Sequence, residues 1–215
     1  MSKYHKINSP FKRDKKTNKI ILGDWAVPEF NLLKNIKWTC REKIDGTNIR
    51  VIWNGESPVF KGRTDNALIP SHLATYLKET FTKELLSSVF SGQEEVVLYG
   101  EGYGYKIQKG SKYFEGKKDV GFILFDIKIG NWYLTEESLD IISKNLNIKK
   151  VPIVYEGTLI ESMEIISNGL KSRFGDFYAE GVVCTPQLQL FCRNGSRVIT
   201  KLKHKDLYGK TLEKL

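Results

Sequence analysis

The chain has 215 residues, of which 40% are hydrophobic and 12% aromatic, and this composition excludes a disordered protein. Its 34 lysines and arginines outnumber 25 acidic residues, and the net charge of +9 favours a polyanionic partner such as a nucleotide or nucleic acid. A basic soluble protein without such a partner is the alternative that charge alone leaves open. No apolar run is long enough to span a bilayer, and the N-terminus lacks the apolar core of a signal peptide, so we expect a cytoplasmic protein with no membrane partner. The 3 cysteines lack paired spacing, which predicts reduced thiols rather than a disulfide framework or a zinc cage.

The first half of the sequence predicts a basic arm followed by strands and a helix. Residues 4–19 are polar and basic and predict an irregular arm, and residues 20–33 are expected to pack over the edge of a sheet. Alternating apolar and polar residues predict strands over 38–43 and 47–53, joined by a tight turn at Asp45-Gly46. A short strand is expected over 59–64. Apolar residues at helical spacing then predict one amphipathic helix from Pro70-Ser71 to Leu86, with Ser71 as its cap.

The second half predicts six more strands and two more helices. The strands are expected over 95–99, 121–129, 151–155, 179–184, 188–193 and 198–202. The helices are expected from Thr135, as a cap, to Leu146, and from Thr158 to Gly169. Helices and strands follow no regular βαβ rhythm, and the sequence has no internal repeat. We therefore expect an α+β fold with mostly antiparallel sheets.

Charged residues stand at strand ends and turns where ordinary packing does not require them. They are Lys43, Arg63, Glu101, Glu180 and the pair Lys201 and Lys203. Alternation along a strand puts both ammonium groups of that last pair on one face. Each residue alone can be a solvated strand end, and residues 38–53 can also be a hairpin with a solvated lysine at its tip. Together the residues predict a site for a charged ligand.

The sequence does not predict a glycine cradle for the phosphates of such a ligand. The glycines at 100, 102 and 104 do not open a helix, and no acidic residue follows at the spacing of a dinucleotide site. The sequence also lacks a P-loop, and its 3 histidines have no metal-ligand spacing. Bound phosphates would therefore be held by cationic side chains.

The segment around Lys43 and four later segments resemble the motifs of one enzyme family. Lys43-Ile44-Asp45-Gly46-Thr47-Asn48 resembles the nucleophile motif of the covalent nucleotidyltransferases, which comprise ATP-dependent RNA and DNA ligases and mRNA capping enzymes. The later segments follow in the family's order and are Tyr99–Gly102, Phe122–Ile127, Glu180–Val183 and Lys201–Lys203. The Thr47-Asn48 ending is closer to RNA ligases that seal nicks in duplex RNA, because DNA ligases and capping enzymes more often have arginine at the second position.

The resemblance covers residues 3–207 and implies the nucleotidyltransferase fold of a ligase adenylylation domain. Lys43 would attack the α-phosphate of ATP, release pyrophosphate and hold AMP as a phosphoramidate. The AMP would pass to a 5′-phosphate, and a 3′-hydroxyl would displace it to join the two ends. The attacking amine must be neutral, while a free lysine has a pKa of about 10.4. Positive charge from Lys201, Lys203, Arg63 and Mg²⁺ is expected to favour the neutral form.

The other site residues are assigned by the same resemblance. Glu180 is expected to hold the hydrated Mg²⁺ or Mn²⁺ ion. Glu101 would bind the ribose hydroxyls. Phe125 would stack on adenine. Strand alternation allows only one of Phe125 and Leu124 to face the site. The remaining expected nucleotide contacts are Glu42 and Ile44 at the adenine edge, Asn48 and Arg63 at a phosphate or the 3′-terminal nucleotide, and Lys201 and Lys203 at the phosphates.

The resemblance also bears on domain organisation and partners. Known ligases of this family usually carry a further C-terminal domain, whereas only residues 205–215 follow the last motif here. We expect one nucleotidyltransferase domain over 1–215, without a separate C-terminal domain, acting as a monomer on nicked duplex RNA, an RNA/DNA hybrid or DNA. The alternatives are a DNA nick-sealing ligase, a capping guanylyltransferase, which is less favoured, and a catalytically idle nucleic-acid-binding module.

Overall fold

The structure is a computed structural model and describes residues 3–93, 95–114 and 118–212. Its strands are β1 (Phe11–Arg13), β2 (Ile20–Trp25), β3 (Trp38–Glu42), β4 (Thr47–Trp53), β5 (Pro58–Lys61), β6 (Val96–Gly104), β7 (Val120–Ile129), β8 (Trp132–Tyr133), β9 (Lys149–Lys150), β10 (Ile153–Gly157), β11 (Gly181–Pro186) and β12 (Thr200–Lys203). Its α-helices are α1 (Pro28–Leu32), α2 (Ser71–Thr80), α3 (Lys83–Val89), α4 (Glu136–Asn145), α5 (Leu159–Ser167) and α6 (His204–Leu207). Among the described residues, no helix is long and apolar enough to cross a membrane.

The chain divides into two compact units. The first unit is Ile44–Val151 together with the N-terminal residues up to Tyr4, and the second unit combines His5–Lys43 with Pro152–Leu215. The backbone therefore passes from the second unit to the first directly after Lys43. The expectation of one nucleotidyltransferase domain over 1–215 stays a prediction.

The first unit is built on a six-stranded sheet. Its strand order is β5-β4-β6-β7-β8, with β9 lying parallel to β7 and all other pairs antiparallel. One face of this sheet packs against α2, α3 and α4, through buried residues such as Val51, Leu98 and Leu124 on the strands and Leu77 and Leu139 on the helices. Because side chains alternate along a strand, Asn48 and Arg50 of β4 and Glu101 of β6 are placed on the opposite face.

The second unit contains a four-stranded antiparallel sheet in the order β10-β3-β11-β12 and the separate pair β1-β2. One face of the larger sheet packs on α5 through buried residues that include Cys40, Val182, Leu202 and Met163. A capping box fixes the start of α5. The Thr158 hydroxyl accepts the backbone N–H of Glu161, and the Glu161 carboxylate accepts the backbone N–H of Thr158. The opposite face of this sheet carries the cationic residues of β12.

The predicted α+β class with mostly antiparallel sheets is confirmed, but the alternative of a hairpin and the expectation of an irregular arm are wrong. The strands over 38–43 and 47–53 do not form a hairpin, because β3 pairs with β10 and β11 whereas β4 pairs with β5 and β6. Asp45-Gly46 is a bend between two sheets. The segment 4–19 is not irregular throughout, since β1 pairs with β2 and buries Phe11 against Trp25.

Other differences concern the ends of elements. The helix expected up to Leu86 is two helices, because Thr82 adopts an extended conformation and its hydroxyl caps α3 by accepting the N–H of Leu85. Ser71 is the first helical residue and does not cap α2. The strand expected over 188–193 is absent from the described residues, which place only a single bridge between Phe191 and Arg197 there. Strand β6 continues to Gly104 instead of ending at residue 99.

Candidate active site

The position of Lys43 is fixed by its backbone. Strand β3 ends at Glu42, and the N–H of Lys43 donates to the carbonyl of Gly181 at 2.9 Å. The N–H of Glu42 donates to the carbonyl of Pro152 at 3.0 Å. Lys43 thus lies at the end of a strand whose backbone is hydrogen-bonded to neighbouring segments. The sequence predicted this strand-end position beside the Asp45-Gly46 bend.

The amine of Lys43 belongs to a three-residue ion-pair cluster in the second unit. Its Nζ donates to Oε2 of Glu180 at 2.5 Å, and Nζ of Lys203 donates to Oε1 of the same carboxylate at 2.8 Å. The three side chains are 24%, 21% and 22% exposed, so the cluster is shielded but reachable. The structure therefore brings together Lys43, Glu180 and Lys203, three of the predicted site residues.

Electrostatics hold the central carboxylate in its charged form. Burial raises the pKa of Glu180, but the ammonium groups of Lys43 and Lys203 outweigh burial, and the pKa lies below its ordinary value of 4.5. The sequence predicted that cations would surround Lys43, whereas the nearest charged group is this carboxylate. The arrangement is an anion held between two cations, which can orient both amines toward a phosphate.

The residue after Glu180 must be glycine because β11 and β12 approach closely there. The φ of Gly181 is +150°, and a Cβ there would lie 1.9 Å from the carbonyl oxygen of Leu202. Any other residue would push β11 away from β12. The close approach of the two strands places Glu180 next to Lys203, and the carbonyl of Glu180 accepts the N–H of His204 at 2.9 Å.

Glu42 anchors the end of β3. Its side chain is only 2% exposed and lies on the helix-covered side of the sheet, since Glu42 is paired with the buried Val182. Its carboxylate accepts the hydroxyl of Ser172 at 2.5 Å and the backbone N–H of Arg173 at 2.8 Å. Contact of Glu42 with adenine stays a prediction, and the engaged carboxylate leaves that contact to the backbone.

Asn48 and Glu101 lie side by side in the first unit. They are direct cross-strand partners in the β4–β6 pair, so they share one face of the sheet. The Oδ1 of Asn48 is buried and has no hydrogen-bond partner among the described residues. Gly46 allows the Asp45-Gly46 bend to lie close to β6, because a Cβ at Gly46 would lie 2.3 Å from the carbonyl oxygen of Gly102. An acceptor and a carboxylate on one sheet face suit a ligand that carries hydroxyl groups.

Phe125 is the extra residue of a β-bulge. The pairing of β7 with β6 passes from Leu124 directly to Asp126, which leaves Phe125 without a partner position. Leu124 is buried in the helix-covered core, while Phe125 packs with Tyr99 and lies edge-on to Tyr4 at 5.1 Å between ring centroids. Phe125 therefore lies on the sheet face of Glu101. Stacking of its ring on adenine stays a prediction.

The remaining predicted residues are less constrained. Arg63 is exposed and makes no ion pair or hydrogen bond with any residue that the structure describes. Ile44 is 4% exposed. Lys201 lies one alternation from Lys203 on β12, and its backbone N–H donates to the carbonyl of Asn8 at 3.1 Å. The described residues contain no cluster of three metal-ligating side chains.

The sequence match to a known family spans most of the chain. The RNA ligase family profile matches residues 36–203, a range that contains every predicted site residue. The chain belongs to the RNA ligase family. Comparison with curated protein sequences finds no significant match.

Solved structures of RNA ligases resemble this family member in fold. A variant of the Naegleria gruberi RNA ligase with ATP and Mn is 22% identical, with a TM-score of 0.64 over 96% of this chain and 62% of the other. A variant with AMP and Mn is 19% identical, with a TM-score of 0.62 over 92% and 60% of the two chains. The same ligase with PPi is 20% identical, with a TM-score of 0.63 over 93% and 61%. This chain thus spans about three fifths of the length of those ligases.

Several site-building residues of this RNA ligase family member carry no signal in the sequence. Ser172 and Arg173 hold Glu42 from about 130 positions away. The hydroxyl of Tyr113 accepts the backbone N–H of Asp45 at 3.0 Å. Ile123 is the fully buried cross-strand partner of Glu101, and a sequence pattern alone does not give that register.

Arg50 fixes the loop that carries Arg63, and its removal is expected to destabilise the first unit. Its side chain is fully buried, its Nε donates to the carbonyl of Gly62 at 2.9 Å, and its Nη2 donates to Asp65 at 2.8 Å. Arg50→Met leaves that carbonyl without its donor, so we expect a loss of about 1–3 kcal/mol in the free energy of unfolding. Urea unfolding measures the loss. Asp65→Asn, which keeps an oxygen acceptor for the guanidinium, is the control, and equal losses in both variants would contradict the role given to the Gly62 contact.

Proposed function

We propose that this chain is an ATP-dependent RNA ligase that joins 3′-OH and 5′-phosphate ends through a covalent lysyl-AMP at Lys43. The observation that carries the proposal is the cluster of Lys43, Glu180 and Lys203 at a strand end in a chain of the RNA ligase family. Relatives of the same fold are described with ATP, AMP, PPi and Mn, which supports ATP as the nucleotide substrate.

The first step transfers AMP to the protein. The deprotonated Nζ of Lys43 forms a bond to the α-phosphorus of ATP, and the bond from that phosphorus to the bridging oxygen breaks with release of pyrophosphate. Glu180 orients the amine through its Oε2 contact before the attack. Lys203 stays beside the reacting phosphate with its positive charge, which stabilises charge that develops on the phosphate oxygens.

Glu180 would hold a divalent cation in the second unit, in place of one of the two lysine contacts that its oxygens make here. Mg²⁺ is commonly bound by one or two carboxylates while it keeps several waters, so a single carboxylate is a sufficient protein ligand. The low pKa of Glu180 keeps that ligand charged at neutral pH. Bound there, Mg²⁺ or Mn²⁺ would supply positive charge against the phosphates of ATP.

The first unit supplies the residues proposed to hold the nucleoside. Ribose hydroxyls are donors that would satisfy the buried Oδ1 of Asn48 and bind the adjacent Glu101. Phe125 offers an aromatic ring on the same sheet face. Arg63 remains available for a phosphate or for the 3′-terminal nucleotide.

We propose nicks in duplex RNA as the substrate. The Thr47-Asn48 ending of the nucleophile motif supports this choice over a DNA ligase. After the first step, the AMP passes from Lys43 to the 5′-phosphate at the nick, and the 3′-hydroxyl displaces it. The net charge of +9 suits a polyanionic partner.

Labelling with nucleotide tests the proposal. We expect α-labelled ATP with Mg²⁺ or Mn²⁺ to leave one acid-labile label, mapped to Lys43 by mass spectrometry, and we expect matched nicks to be sealed faster in RNA than in DNA. Labelling by GTP instead of ATP would favour a capping guanylyltransferase. A folded protein that takes no label from any nucleotide, yet binds nucleic acid in a salt-dependent manner, would be an idle binding module and would overturn the enzyme assignment.

A further inference from the structure

A basic cleft lies beside the catalytic cluster in the second unit. Its volume is about 360 Å³. Six cationic residues line it, namely Lys6, Lys12, Arg13, Lys201, Lys203 and Lys205. The other lining residues are polar or apolar, such as Asn8, Ser9 and Phe11, and no carboxylate of the described residues lines the cleft. A cavity with this lining attracts an anion that carries several charges.

The charges of this cleft are only partly neutralised. Arg13 pairs with Asp206, and Lys12 pairs with Asp24. Lys6 and Lys205 are exposed and form no ion pair or hydrogen bond through their side chains with any described residue. These two ammonium groups are therefore the ones available to an incoming ligand.

The wall of the cleft is a built part of the fold. The carbonyl of Asn8 accepts the N–H of Lys201 at 3.1 Å and the hydroxyl of Thr200 at 3.0 Å, which ties residues 6–9 to β12. The guanidinium of Arg13 donates to both carboxylate oxygens of Asp206, at 3.2 and 2.5 Å. A bidentate pair fixes the orientation of both groups. The backbone of residues 6–9 is thus fixed by hydrogen bonds to β12, and the side chain of Arg13 is fixed by its pair with Asp206 of α6.

Lys203 connects the cleft to the catalytic lysine. It lines the cleft and also donates to Glu180, whose other oxygen accepts from Lys43. A chain of phosphates that has one end at Lys43 can therefore continue past Lys203 into the cleft, which Lys6 and Lys205 also line.

The geometry points to this cleft as a binding surface for the phosphodiester backbone of the nucleic acid substrate, an inference that rests on the proposed ligase function. A repeated phosphate matches a surface lined by several cations, and such contacts give affinity without reading sequence. The triphosphate of ATP carries the same chemistry, so the experiment must separate the two sources of phosphate.

Neutralising Lys6 and Lys205 together tests the inference. We expect Lys6→Ala/Lys205→Ala to bind a nicked RNA duplex roughly 10- to 50-fold more weakly near 0.1 M salt, and the slope of log K against log salt to become less steep by about 1.4–1.8. Labelling of Lys43 by ATP is expected to stay within about twofold, because neither lysine belongs to the catalytic cluster. Lys6→Arg/Lys205→Arg should restore binding, since it restores both charges.

The matched control removes two exposed lysines of the first unit, Lys78→Ala/Lys83→Ala, and changes the net charge equally. An equal loss of RNA binding in the control would overturn the inference, because total charge would then be responsible. A loss of ATP labelling with unchanged RNA binding would also overturn it and would assign the cleft to ATP. If the wild-type protein takes no label, the ligase proposal fails by itself, and the binding comparison still decides whether the cleft holds nucleic acid.

Discussion

Replacing Lys43 with alanine is expected to abolish labelling by ATP, with a fall of at least about a thousandfold. The amine is the only group in the proposed mechanism that bonds to the α-phosphorus, and alanine offers no nucleophile at that position. Sealing of a nick that already carries AMP on its 5′-phosphate should persist, because that step uses the 3′-hydroxyl as nucleophile. Single-turnover assays with labelled ATP and with a pre-adenylated nick measure the two steps separately.

Two further variants make this result specific. Lys43→Arg keeps a cation next to Glu180 but has no nucleophilic amine, so it should also lose labelling while it retains the fold. Lys37→Ala removes an exposed lysine of the same unit and should label like the wild type. Label that survives in Lys43→Ala, for example on Lys203, would show that the nucleophile is assigned wrongly.

The sequence predicted the parts of the site that short segments define. Lys43 was expected at a strand end beside a bend, and Glu180 was expected beside a glycine at the start of a strand. Both features are local, since a β-strand ends where the chain turns and a close strand approach requires glycine. The structure places both residues at such positions.

The parts that were not predicted depend on pairings between distant segments. The alternation in residues 47–53 gives a strand correctly but does not show which strand is its neighbour, so a hairpin with 38–43 was an equally consistent interpretation. The bulge at Phe125 also has no local signature, and it interrupts the one-to-one pairing of β7 with β6, which passes from Leu124 directly to Asp126. Tertiary context decides both features.

The charge environment of Lys43 shows the same limit. The sequence lists cations and carboxylates but does not give their distances, and Coulomb energies depend on distance. Surrounding cations were expected because the attacking amine must be neutral, whereas the fold places the carboxylate of Glu180 between Lys43 and Lys203. The acid is therefore as central to the proposed chemistry as the nucleophile.

Glu180→Gln is expected to reduce labelling of Lys43 by about a hundredfold or more. The amide has the same shape as the carboxylate but leaves Lys43 and Lys203 without their shared counter-charge, so the two ammonium groups repel and the amine is no longer oriented. It also removes the proposed ligand for the divalent cation. Titration of Mg²⁺ or Mn²⁺ in the labelling assay measures the loss, which excess metal should not restore.

The same variant makes a prediction about stability against pH. The pKa of Glu180 is lowered in the folded protein, so its charged form stabilises the fold fully above the unfolded value near 4.5 and progressively less as pH falls through the folded pKa. At pH 7 we expect Glu180→Gln to lower the free energy of unfolding by about 1–3 kcal/mol, since it removes two charge-assisted hydrogen bonds. The difference from the wild type should shrink below pH 4.5, because protonation then removes the same charge from the wild-type protein. Urea unfolding between pH 3 and pH 7 measures this convergence.

Glu164→Gln, on the exposed face of α5, is the control and should show no such trend. A difference between Glu180→Gln and the wild type that stays constant at all pH values would contradict the ion-pair cluster as the source of this stability.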